Sequence, residues 1–403
     1  MGKKTVRDIE VRGKRVLVRV DFNVPLDEKT GAISDDRRIQ VTLPTIRYLI
    51  ERGARVILCS HLGQPEGKVD DKLRLAPIGQ HLAQLMGKRV LVTNDCIGPE
   101  VEKAVEELID GDVLLLGNLR FYPDEETNNP IFAQALARLA DIYVDDAFGT
   151  AHRRHASIVG ITQYLPAVAG LLLEEEIKTL DGLLRNPAHP FIALLGGAKV
   201  SDKVGMLENI MDKVNYLLIG GGMAATFLKA KPHDVGLSLL EEDKLDTAAA
   251  LMRDTAKNGV QLRLPVDVVI ADKLGAGAKV KTVPVDKIPS DWRIVDIGPE
   301  TIISFTEELS RCRTVFWNGP MGIYEVPQFA RGTQAMAKLL ASLDVTTIIG
   351  GGSTAELVAE MGLADGMTFV STGGGASLKF LGGQALPGLE VLMDKEVSSG
   401  DYH

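Results

Sequence analysis

The chain has 403 residues, of which 45% are apolar and 25% charged, and its net charge is −9. This length exceeds one comfortable hydrophobic core, so two domains are expected, and the composition is that of an ordinary soluble globular protein. The negative charge argues against non-specific nucleic-acid binding. Cys59, Cys96 and Cys312 are widely spaced without a Cys-x-x-Cys pair. This pattern disfavours a disulfide framework or a zinc site and favours a reducing cytosol.

The chain shows no pattern that predicts a membrane partner. Residues 1–6 lead into charged sequence without a hydrophobic signal core. No apolar run approaches the roughly 18 residues of a membrane span. We therefore expect a cytoplasmic protein.

Short apolar or β-branched runs alternate with longer segments of helical character along the whole chain. The first half contains the runs 16–18, 56–58, 90–92, 113–116 and 142–144. The second half contains the runs 191–195, 217–219, 268–270, 315–317, 347–349 and 369–370. Alternation of buried strands with helices predicts an α/β fold with parallel sheets covered on both faces.

The residues that could bind a ligand or take part in catalysis directly follow the predicted strands. Ligands of parallel sheets bind at this end of the strands. In the first half these are Asp21, His61, Gly117-Asn118 and Asp145-Asp146, and in the second half Gly196, Gly220, Asn318, Gly350 and Gly373. Arginine and histidine dominate the first set of loops, and glycine runs dominate the second. Arginine forks bind small anions through side chains, whereas glycine turns let backbone amides reach a polyphosphate. The two halves therefore predict sites for two different phosphorylated molecules.

A helix is predicted at the junction of the halves, near residues 171–178, and the proline-containing stretch 186–190 ends it before a new strand. We expect an N-terminal domain over 1–170, an interdomain helix and linker over 171–188, and a second domain over 189–386. A final segment covers 387–403, and its last residues, 396–403, have the composition of a tail.

Several familiar motifs are absent from the sequence. No Gly-x-x-x-x-Gly-Lys-Ser/Thr loop occurs, and residues 146–149 do not read Asp-Phe-Gly as in protein kinases. Residues 351–355 resemble a nucleophile elbow but end in Ala, and no His/Asp pair completes a hydrolase triad.

Two pairs of basic residues have a spacing that suits a helix face. Lys199 and Lys203 are four residues apart after a glycine turn, so on a helix both ammonium groups would lie on one side. A solvated lysine pair is the alternative. His152 and His155 would share a face if their segment is helical, and a solvated or capping role for one of them stays open.

Asp21 and Asn23 straddle Phe22, so on an extended segment their side chains would point the same way. A carboxylate and an amide together suit a hydroxyl group, although turn formation before Pro25 would also explain them.

With these residues in order, the chain resembles the phosphoglycerate kinases from end to end. The resemblance is carried, in the family's order and spacing, by the motifs at 18–25, 60–63, 118–121, 145–153, 196–200, 317–322 and 371–377. It implies two Rossmann-like three-layer domains with mostly parallel sheets, joined by a helix across a deep cleft, with 387–403 returning to the first domain. It also implies reversible phosphoryl transfer between 1,3-bisphosphoglycerate and ADP, giving 3-phosphoglycerate and ATP with Mg²⁺, by a monomer that closes its domains.

The resemblance implies a role for each matching residue. Asp21 and Asn23 would hold the glycerate hydroxyl region, and Arg38 would lie by the transferring phosphate. The distal phosphate of the acid and the adjoining loop would involve His61, Leu62, Gly63, Gln64, Arg120 and Arg153. The nucleotide would contact Lys203, Gly220, Gly221, Ile294, Asn318, Pro320, Glu325, Gly351, Gly352, Ser353 and Thr354. Catalysis would use Arg38, Lys199, Lys203, Gly373 and Gly374.

Four positions depart from the family's usual residues: Gln64 replaces Arg, Gly117 replaces Glu, Ile294 replaces Gly and Ser353 replaces Asp. A hydroxyl is a weaker magnesium ligand than a carboxylate, so the metal is expected mainly on nucleotide phosphates and water. Ser353 leaves open a binding or regulatory protein that transfers phosphate poorly. The fold type alone leaves open a dinucleotide-dependent oxidoreductase.

Overall fold

A computed structural model describes residues 2–27 and 29–395. Within these residues the chain forms two compact units. Unit 1 comprises the residues up to Lys178 together with those from Ala385 onward, and unit 2 comprises Thr179–Gln384.

Unit 1 contains a sheet of six strands in which every pairing is parallel. The strands are β1 (Arg15–Arg19), β2 (Arg55–Cys59), β3 (Leu91–Val92), β4 (Val113–Leu115), β5 (Ile142–Asp145) and β6 (Ala167–Ala169). Their order is β3-β4-β2-β1-β5-β6. The central strands are almost wholly buried, which explains their continuous apolar runs.

The helices of unit 1 lie between these strands along the chain. They are α1 (Arg37–Gln40), α2 (Leu43–Glu51), α3 (Ala76–Met86), α4 (Pro99–Glu106), α5 (Pro123–Glu126) and α6 (Pro130–Ala137). Proline at the first or second position begins five of them, where its missing N–H costs no hydrogen bond. The buried face of α2, with Ile46 and Leu49, packs into the core around the sheet.

Helix α7 (Leu171–Arg185) begins in unit 1 and ends in unit 2. Its first turn is capped by Asp146, whose Oδ1 accepts hydrogen bonds from the N–H groups of Leu172 and Leu173 at 3.0 and 3.2 Å. Asp146 is completely buried. The carboxyl group at the end of β5 therefore ties the start of this helix to the sheet.

Unit 2 is built around a second parallel sheet of six strands. They are β7 (Phe191–Leu195), β8 (Tyr216–Ile219), β9 (Gln261–Arg263), β13 (Thr314–Asn318), β14 (Thr346–Gly350) and β15 (Phe369–Val370), in the order β15-β14-β13-β7-β8-β9. Together with the sheet of unit 1, this confirms the predicted α/β fold with mostly parallel sheets.

One predicted strand was assigned to the wrong kind of sheet. The run at 268–270 lies in β10 (Asp267–Ala271), which pairs antiparallel with β11 (Val280–Pro284) and β12 (Arg293–Ile297) in a separate three-stranded sheet. The loop from β10 to β11 is too short for the crossover that a parallel pairing requires.

The helices of unit 2 are α8 (Val204–Ile210), α9 (Met223–Ala230), α10 (Leu245–Lys257), α11 (Pro299–Leu309), α12 (Arg331–Ser342), α13 (Gly352–Glu360) and α14 (Gly374–Leu381). Met336 and Leu340 of α12 and Val358 of α13 pack with the sheet residues Trp317 and Ile349 in one apolar core.

The end of the described chain lies in unit 1 and includes α15 (Pro387–Glu390). Met393 accepts a hydrogen bond from the N–H of Lys4 at 2.7 Å and donates one to Ala167 at 2.9 Å. Lys3 forms an ion pair with Asp394 at 2.8 Å. Both ends of the described chain thus lie beside β6, and the tail predicted at 396–403 is outside the described residues.

Among the described residues, no helix is long and apolar enough to cross a bilayer. The three cysteines are buried free thiols.

The structure gives a local reason for Gly117. A Cβ atom at this position would lie 2.5 Å from the carbonyl oxygen of Asn94 and 2.8 Å from the carbonyl carbon of Asp95. We expect Gly117→Ala to destabilise the protein by about 1–3 kcal/mol, because neighbouring backbone must move. Gly182 in α7 has nothing within 4 Å of a Cβ and is the control. Gly182→Ala should raise stability by up to about 1 kcal/mol, and equal unfolding temperatures for both variants in calorimetry would contradict this reading.

Asp146→Asn is expected to reduce the pH dependence of stability between about pH 4 and 7. Burial raises the pKa of Asp146 from 3.8 to about 7. The folded state therefore binds more protons than the unfolded chain in this window, and wild-type stability falls as pH rises through it. Asparagine keeps an oxygen that can cap α7 but carries no charge.

The measurement is the difference in unfolding temperature between wild type and Asp146→Asn across this pH range. Asp141→Asn provides a control of opposite sign, because its hydrogen bond to Arg15 lowers the pKa of Asp141. The stability from that carboxylate is lost as pH falls. Parallel pH profiles for wild type and Asp146→Asn would disprove the assignment.

Candidate active site

The predicted substrate-binding residues of unit 1 lie at the carboxyl ends of four adjacent strands. Asp21 and Asn23 follow β1, His61 follows β2, Arg120 lies in a 3₁₀ turn after β4, and Arg153 follows a similar turn after β5. Because β4, β2, β1 and β5 are neighbours and parallel, these loops leave the sheet at the same edge.

The loop after β1 is fixed by contacts on both sides of Phe22, which is fully buried. Asp21 forms an ion pair with Arg38 of α1. The side-chain oxygen of Asn23 accepts a hydrogen bond from the N–H of Gly63 at 2.8 Å. The N–H of Asn23 donates to Asp21 Oδ1 at 3.2 Å, so the segment also forms a local turn. The carboxylate of Asp21 and the amide of Asn23 therefore contact two different neighbours, an arginine and the loop after β2.

Asn118 connects the loop after β2 to the turn that carries Arg120. Its Nδ2 donates to the carbonyl groups of Leu62 and Leu73 at 2.8 and 3.0 Å, and its Oδ1 accepts from the N–H groups of Leu62 and Arg120. Arg120 in turn donates to the carbonyl group of Gly63 at 2.9 Å and lies 3.3 Å from a carboxylate oxygen of Glu126. These hydrogen bonds therefore hold the loop after β2 and the turn after β4 together.

His61 lies within this cluster of arginines. Burial lowers the pKa of His61 well below 6.5, and the positive charges of Arg19, Arg120, Arg153 and Arg38 lower it further. Among these arginines, Arg19 contacts the imidazole ring directly, with its Nη2 3.1 Å from Nδ1. Unit 1 thus contains a concentrated positive field at one edge of its sheet, suited to a small anion.

The remaining predicted residues of this loop contribute differently. Leu62 is buried and uses only its backbone, Gln64 is exposed, and Arg153 is half-buried. Gly63 has φ +63°, and a Cβ there would lie 2.8 Å from Leu73, so this turn requires glycine.

The pair His152 and His155 does not share a helix face. Residues 148–150 form a 3₁₀ turn and the chain continues irregularly past it. His155 is buried, which lowers its pKa to about 3 with the help of nearby arginines, so it is neutral. The helical alternative for this segment was wrong because the chain must turn back toward the buried Glu125, 3.7 Å from His155.

The glycine loops of unit 2 pack directly against one another. A Cβ at Gly221 would lie 2.5 Å from the nitrogen of Gly197, and one at Gly319 would lie 2.4 Å from the carbonyl oxygen of Gly196. Only residues without side chains allow three backbone segments to approach this closely. The loops after β7, β8 and β13 are therefore held together through their main chains.

This packing uses the amides that the sequence suggested for ligand binding. The N–H of Gly220 donates to Leu195 at 2.8 Å, and that of Gly221 donates to Met321 at 3.0 Å. Contact of these two glycines with a ligand must therefore come from Cα or carbonyl atoms. The expectation that their amides reach a polyphosphate was wrong, because the end of β7 and the loop after β13 supply the acceptors.

The beginnings of α13 and α14 form a different kind of site. A Cβ at Gly374 would lie 3.1 Å from the nitrogen of Gly352 and 3.2 Å from Cα of Gly351. Gly351 and Gly373 are the N-cap residues of α13 and α14. The first N–H groups of a helix have no acceptor within it, and its dipole is positive at this end. Two adjacent helix N-termini therefore create a positive site for phosphate without side-chain charge.

Asn318 and Thr354 hold α13 in this position. Asn318 Nδ2 donates to the carbonyl group of Gly350 at 2.8 Å, and Thr354 Oγ1 accepts from the N–H of Gly319 at 2.8 Å. Both side chains are buried, and Pro320 beside them is half-buried.

Lys199 and Lys203 do not share a helix face, contrary to the spacing argument. Helix α8 begins only at Val204, so the segment 199–203 is a turn. Lys199 is exposed, whereas Lys203 is buried, and this burial lowers its pKa. The turn is stabilised by Glu241, whose carboxylate accepts hydrogen bonds from the N–H and hydroxyl groups of Ser201 at 3.2 and 2.5 Å.

The other residues predicted to bind the nucleotide are exposed or half-buried in unit 2. Ile294 is half-buried against Leu228 and Val235, whereas Glu325 and Ser353 are exposed. In the described part of the chain, no three His, Cys, Asp or Glu side chains are grouped to hold a metal ion.

Sequence reasoning missed the buried residues that support the site. In unit 1 these are Arg19, Ser157 and Glu125, which are linked by hydrogen bonds beneath His61. Glu125 stands in the acidic run 124–126, which reads as a solvated surface. The one signal in the sequence was the position of Arg19 directly after the predicted buried strand at 16–18, because a charge at the end of a buried strand requires partners.

Three comparisons place this geometry among known proteins. The family model described as "Phosphoglycerate kinase" matches residues 6–384. Proteins named phosphoglycerate kinase from Pelotomaculum thermopropionicum and Moorella thermoacetica are 54% and 52% identical to the chain over 98% of its length and 100% of theirs. The solved structure of phosphoglycerate kinase from Coxiella burnetii has a TM-score of 0.84 at 40% identity, covering 97% of this chain and 99% of that one. The chain therefore belongs to the phosphoglycerate kinase family, whose members are kinases that use adenine nucleotides.

Proposed function

We propose that the protein transfers a phosphoryl group reversibly between 1,3-bisphosphoglycerate and ADP, giving 3-phosphoglycerate and ATP. The observation that carries this proposal is the presence of two unlike anion sites, an arginine cluster in unit 1 and paired helix N-termini in unit 2. A small acid phosphate suits the arginine cluster, and a nucleotide polyphosphate suits the helix N-termini.

In the acid site, Asp21 and Asn23 bind the hydroxyl region of the glycerate. The distal phosphate is bound by His61, Arg120 and Arg153. Arg38, which is paired with Asp21, contacts the carboxyl group and the phosphoryl group that it receives.

In the nucleotide site, the turn at Gly373 and Gly374 meets the moving phosphoryl group, through the amide of Gly374 because the N–H of Gly373 donates to Ser371 Oγ at 3.2 Å. The amides of Gly351 and Gly352 meet the phosphates. Lys203 and the exposed Lys199 neutralise phosphate charge. The remaining contacts are with Gly220, Gly221, Ile294, Asn318, Pro320, Glu325, Ser353 and Thr354, and Glu325 binds the ribose.

Phosphoryl transfer to a carboxylate requires stabilisation of the charge that develops on the phosphoryl group, and it requires no proton transfer. The acceptor is a carboxylate, which is ionised at neutral pH, so no general base is needed. Phosphoryl transfer depends on alignment of the reactants and on donors around the developing charge. Because the substrates bind to different units, we also propose that the units close on each other, which aligns the reactants and excludes water.

The nucleotide binds as its magnesium complex, so the metal arrives with the substrate. Ser353 is the one predicted protein ligand, and its hydroxyl adds little to the phosphate and water oxygens that Mg²⁺ prefers. We further propose that the protein acts as a monomer in the cytoplasm.

Arg38→Ala is expected to lower kcat at least about a hundredfold in a coupled assay with 3-phosphoglycerate, ATP and Mg²⁺, because a cationic donor to the transition state is lost. The matched control is Arg37→Ala, since Arg37 is its chain neighbour but pairs with Asp35. The control should retain nearly full activity. If wild-type turnover is no better than that of Arg38→Ala, the proposed kinase activity is wrong, and a binding or regulatory protein is favoured.

Ser353→Asp is expected to tighten ADP binding in saturating Mg²⁺ and to weaken it when the metal is chelated. The new carboxylate binds Mg²⁺, but without the metal it repels the phosphates. Ser353→Asn has the same shape without the charge and should show neither effect. Calorimetric titration of ADP at several magnesium concentrations measures both, and equal affinities for the two variants throughout would refute the prediction.

A further inference from the structure

The Nδ1 atom of His61 faces a permanent hydrogen-bond donor. It lies 3.1 Å from Nη2 of Arg19, and both side chains are buried. A guanidinium group has only donors, so the imidazole nitrogen must be the acceptor and carries no proton. The hydrogen of the neutral ring then lies on Nε2. Within residues 2–27 and 29–395, no group accepts a hydrogen bond from that atom.

Arg19 is itself held in place by Ser157. Its Nε donates to Ser157 Oγ at 2.9 Å, and its Nη1 donates to the carbonyl group of Val20. One guanidinium therefore binds three acceptors at once, Ser157, Val20 and His61. This fork geometry leaves it no freedom to turn away from the imidazole.

Glu125 sets the direction of the hydrogen bonds around Ser157. Because Ser157 Oγ accepts from Arg19, its own hydrogen is donated to Glu125 Oε1, 2.6 Å away. The backbone N–H of Ser157 donates to Oε2 at 2.9 Å. Both carboxylate oxygens are thus acceptors. Burial raises the pKa of Glu125, whereas the charge of Arg19 and the two hydrogen bonds from Ser157 lower it and favour the ionised carboxylate.

We infer that Arg19, Ser157 and Glu125 are positioning residues that hold His61 as the neutral tautomer with its hydrogen on Nε2, so that His61 binds phosphate as a hydrogen-bond donor and not as a cation. The identity of that phosphate, the distal group of 3-phosphoglycerate, rests on the proposed function. The tautomer does not, because the buried hydrogen bonds determine it.

A neutral donor also suits the electrostatics of the site. The positive charges of Arg19, Arg120, Arg153 and Arg38 already lower the pKa of His61, after burial as the largest cause. A fifth positive charge there would be repelled by four others in a buried place. Protonation of Nδ1 would in addition set two donors against each other at 3.1 Å. His61 therefore extends the set of donors without adding charge.

Nuclear magnetic resonance tests the tautomer without reference to activity. In the full-length protein labelled with ¹⁵N-histidine, two-bond ¹H–¹⁵N correlations distinguish the two neutral tautomers and the imidazolium. The signals of His61 are those lost in His61→Gln. We expect the Nε2–H tautomer, unchanged between about pH 5 and 8. An imidazolium or an Nδ1–H tautomer in this range would overturn the inference, even if the protein proves inactive as a kinase.

The positioning role is tested by removing the Ser157 hydroxyl from the hydrogen-bond network that joins Glu125, Ser157, Arg19 and His61. Ser157→Ala should shift the His61 signals toward a mixture of tautomers and raise the KM for 3-phosphoglycerate about tenfold, the effect of one buried hydrogen bond. The KM for ATP should be unchanged. Tyr143→Phe is the matched control, since it removes a 2.8 Å hydrogen bond to the backbone carbonyl of Ser157 and leaves the side-chain network intact.

Arg19→Lys separates charge from geometry and serves if Ser157→Ala does not fold. It keeps the positive charge, but a single ammonium cannot hold Ser157 and His61 together. We expect the same shift of the His61 signals and the same rise in the KM for 3-phosphoglycerate. The positioning role is wrong if either folded variant keeps the wild-type tautomer and KM, or if Tyr143→Phe changes them equally.

Discussion

Parallel strand pairing in register is the constraint on which both candidate sites depend. In unit 1, Arg19 at the end of β1 pairs with Cys59 on one side and Asp145 on the other. In unit 2, Asn318 at the end of β13 pairs with Leu195 and Gly350. Adjacent strands thus end at the same level, and the loops that follow them emerge side by side. Residues far apart in the chain meet there because the backbone hydrogen bonds between the strands fix where each strand ends and therefore where each loop begins.

The two units meet the demand for anion binding by different physical means. Unit 1 uses charged side chains, and these need carboxylate partners such as Asp21 and Glu126 to keep their positions beside one another. Unit 2 uses the ends of α13 and α14, where the positive potential belongs to the backbone and needs no counter-ion. The first arrangement suits a small acid phosphate, and the second suits a polyphosphate, as proposed above.

Patterns that depend on neighbours in the chain were predicted well, whereas those that depend on distant partners were not. The buried strands and the glycine loops after them follow from apolar periodicity and local turn chemistry. The turn at 199–203 is held by Glu241, some forty residues away, so helix spacing misjudged Lys199 and Lys203. The amides of Gly220 and Gly221 donate to the end of β7 and to the loop after β13 and not to solvent, which no local pattern reveals. Glu125 looks solvated in sequence and is completely buried in the fold.

The sequence by itself determined the α/β alternation, the family and the loops that carry the basic and glycine-rich residues, because burial and turn preference are recorded in residue type and spacing. The tertiary structure alone decided which of those groups remain free to act. It pairs Arg38 with Asp21, sets the start of α14 against that of α13, and turns the guanidinium of Arg19 toward His61. Each of these depends on the direction of a hydrogen bond or on the close approach of two segments, and such geometry exists only once the chain has packed.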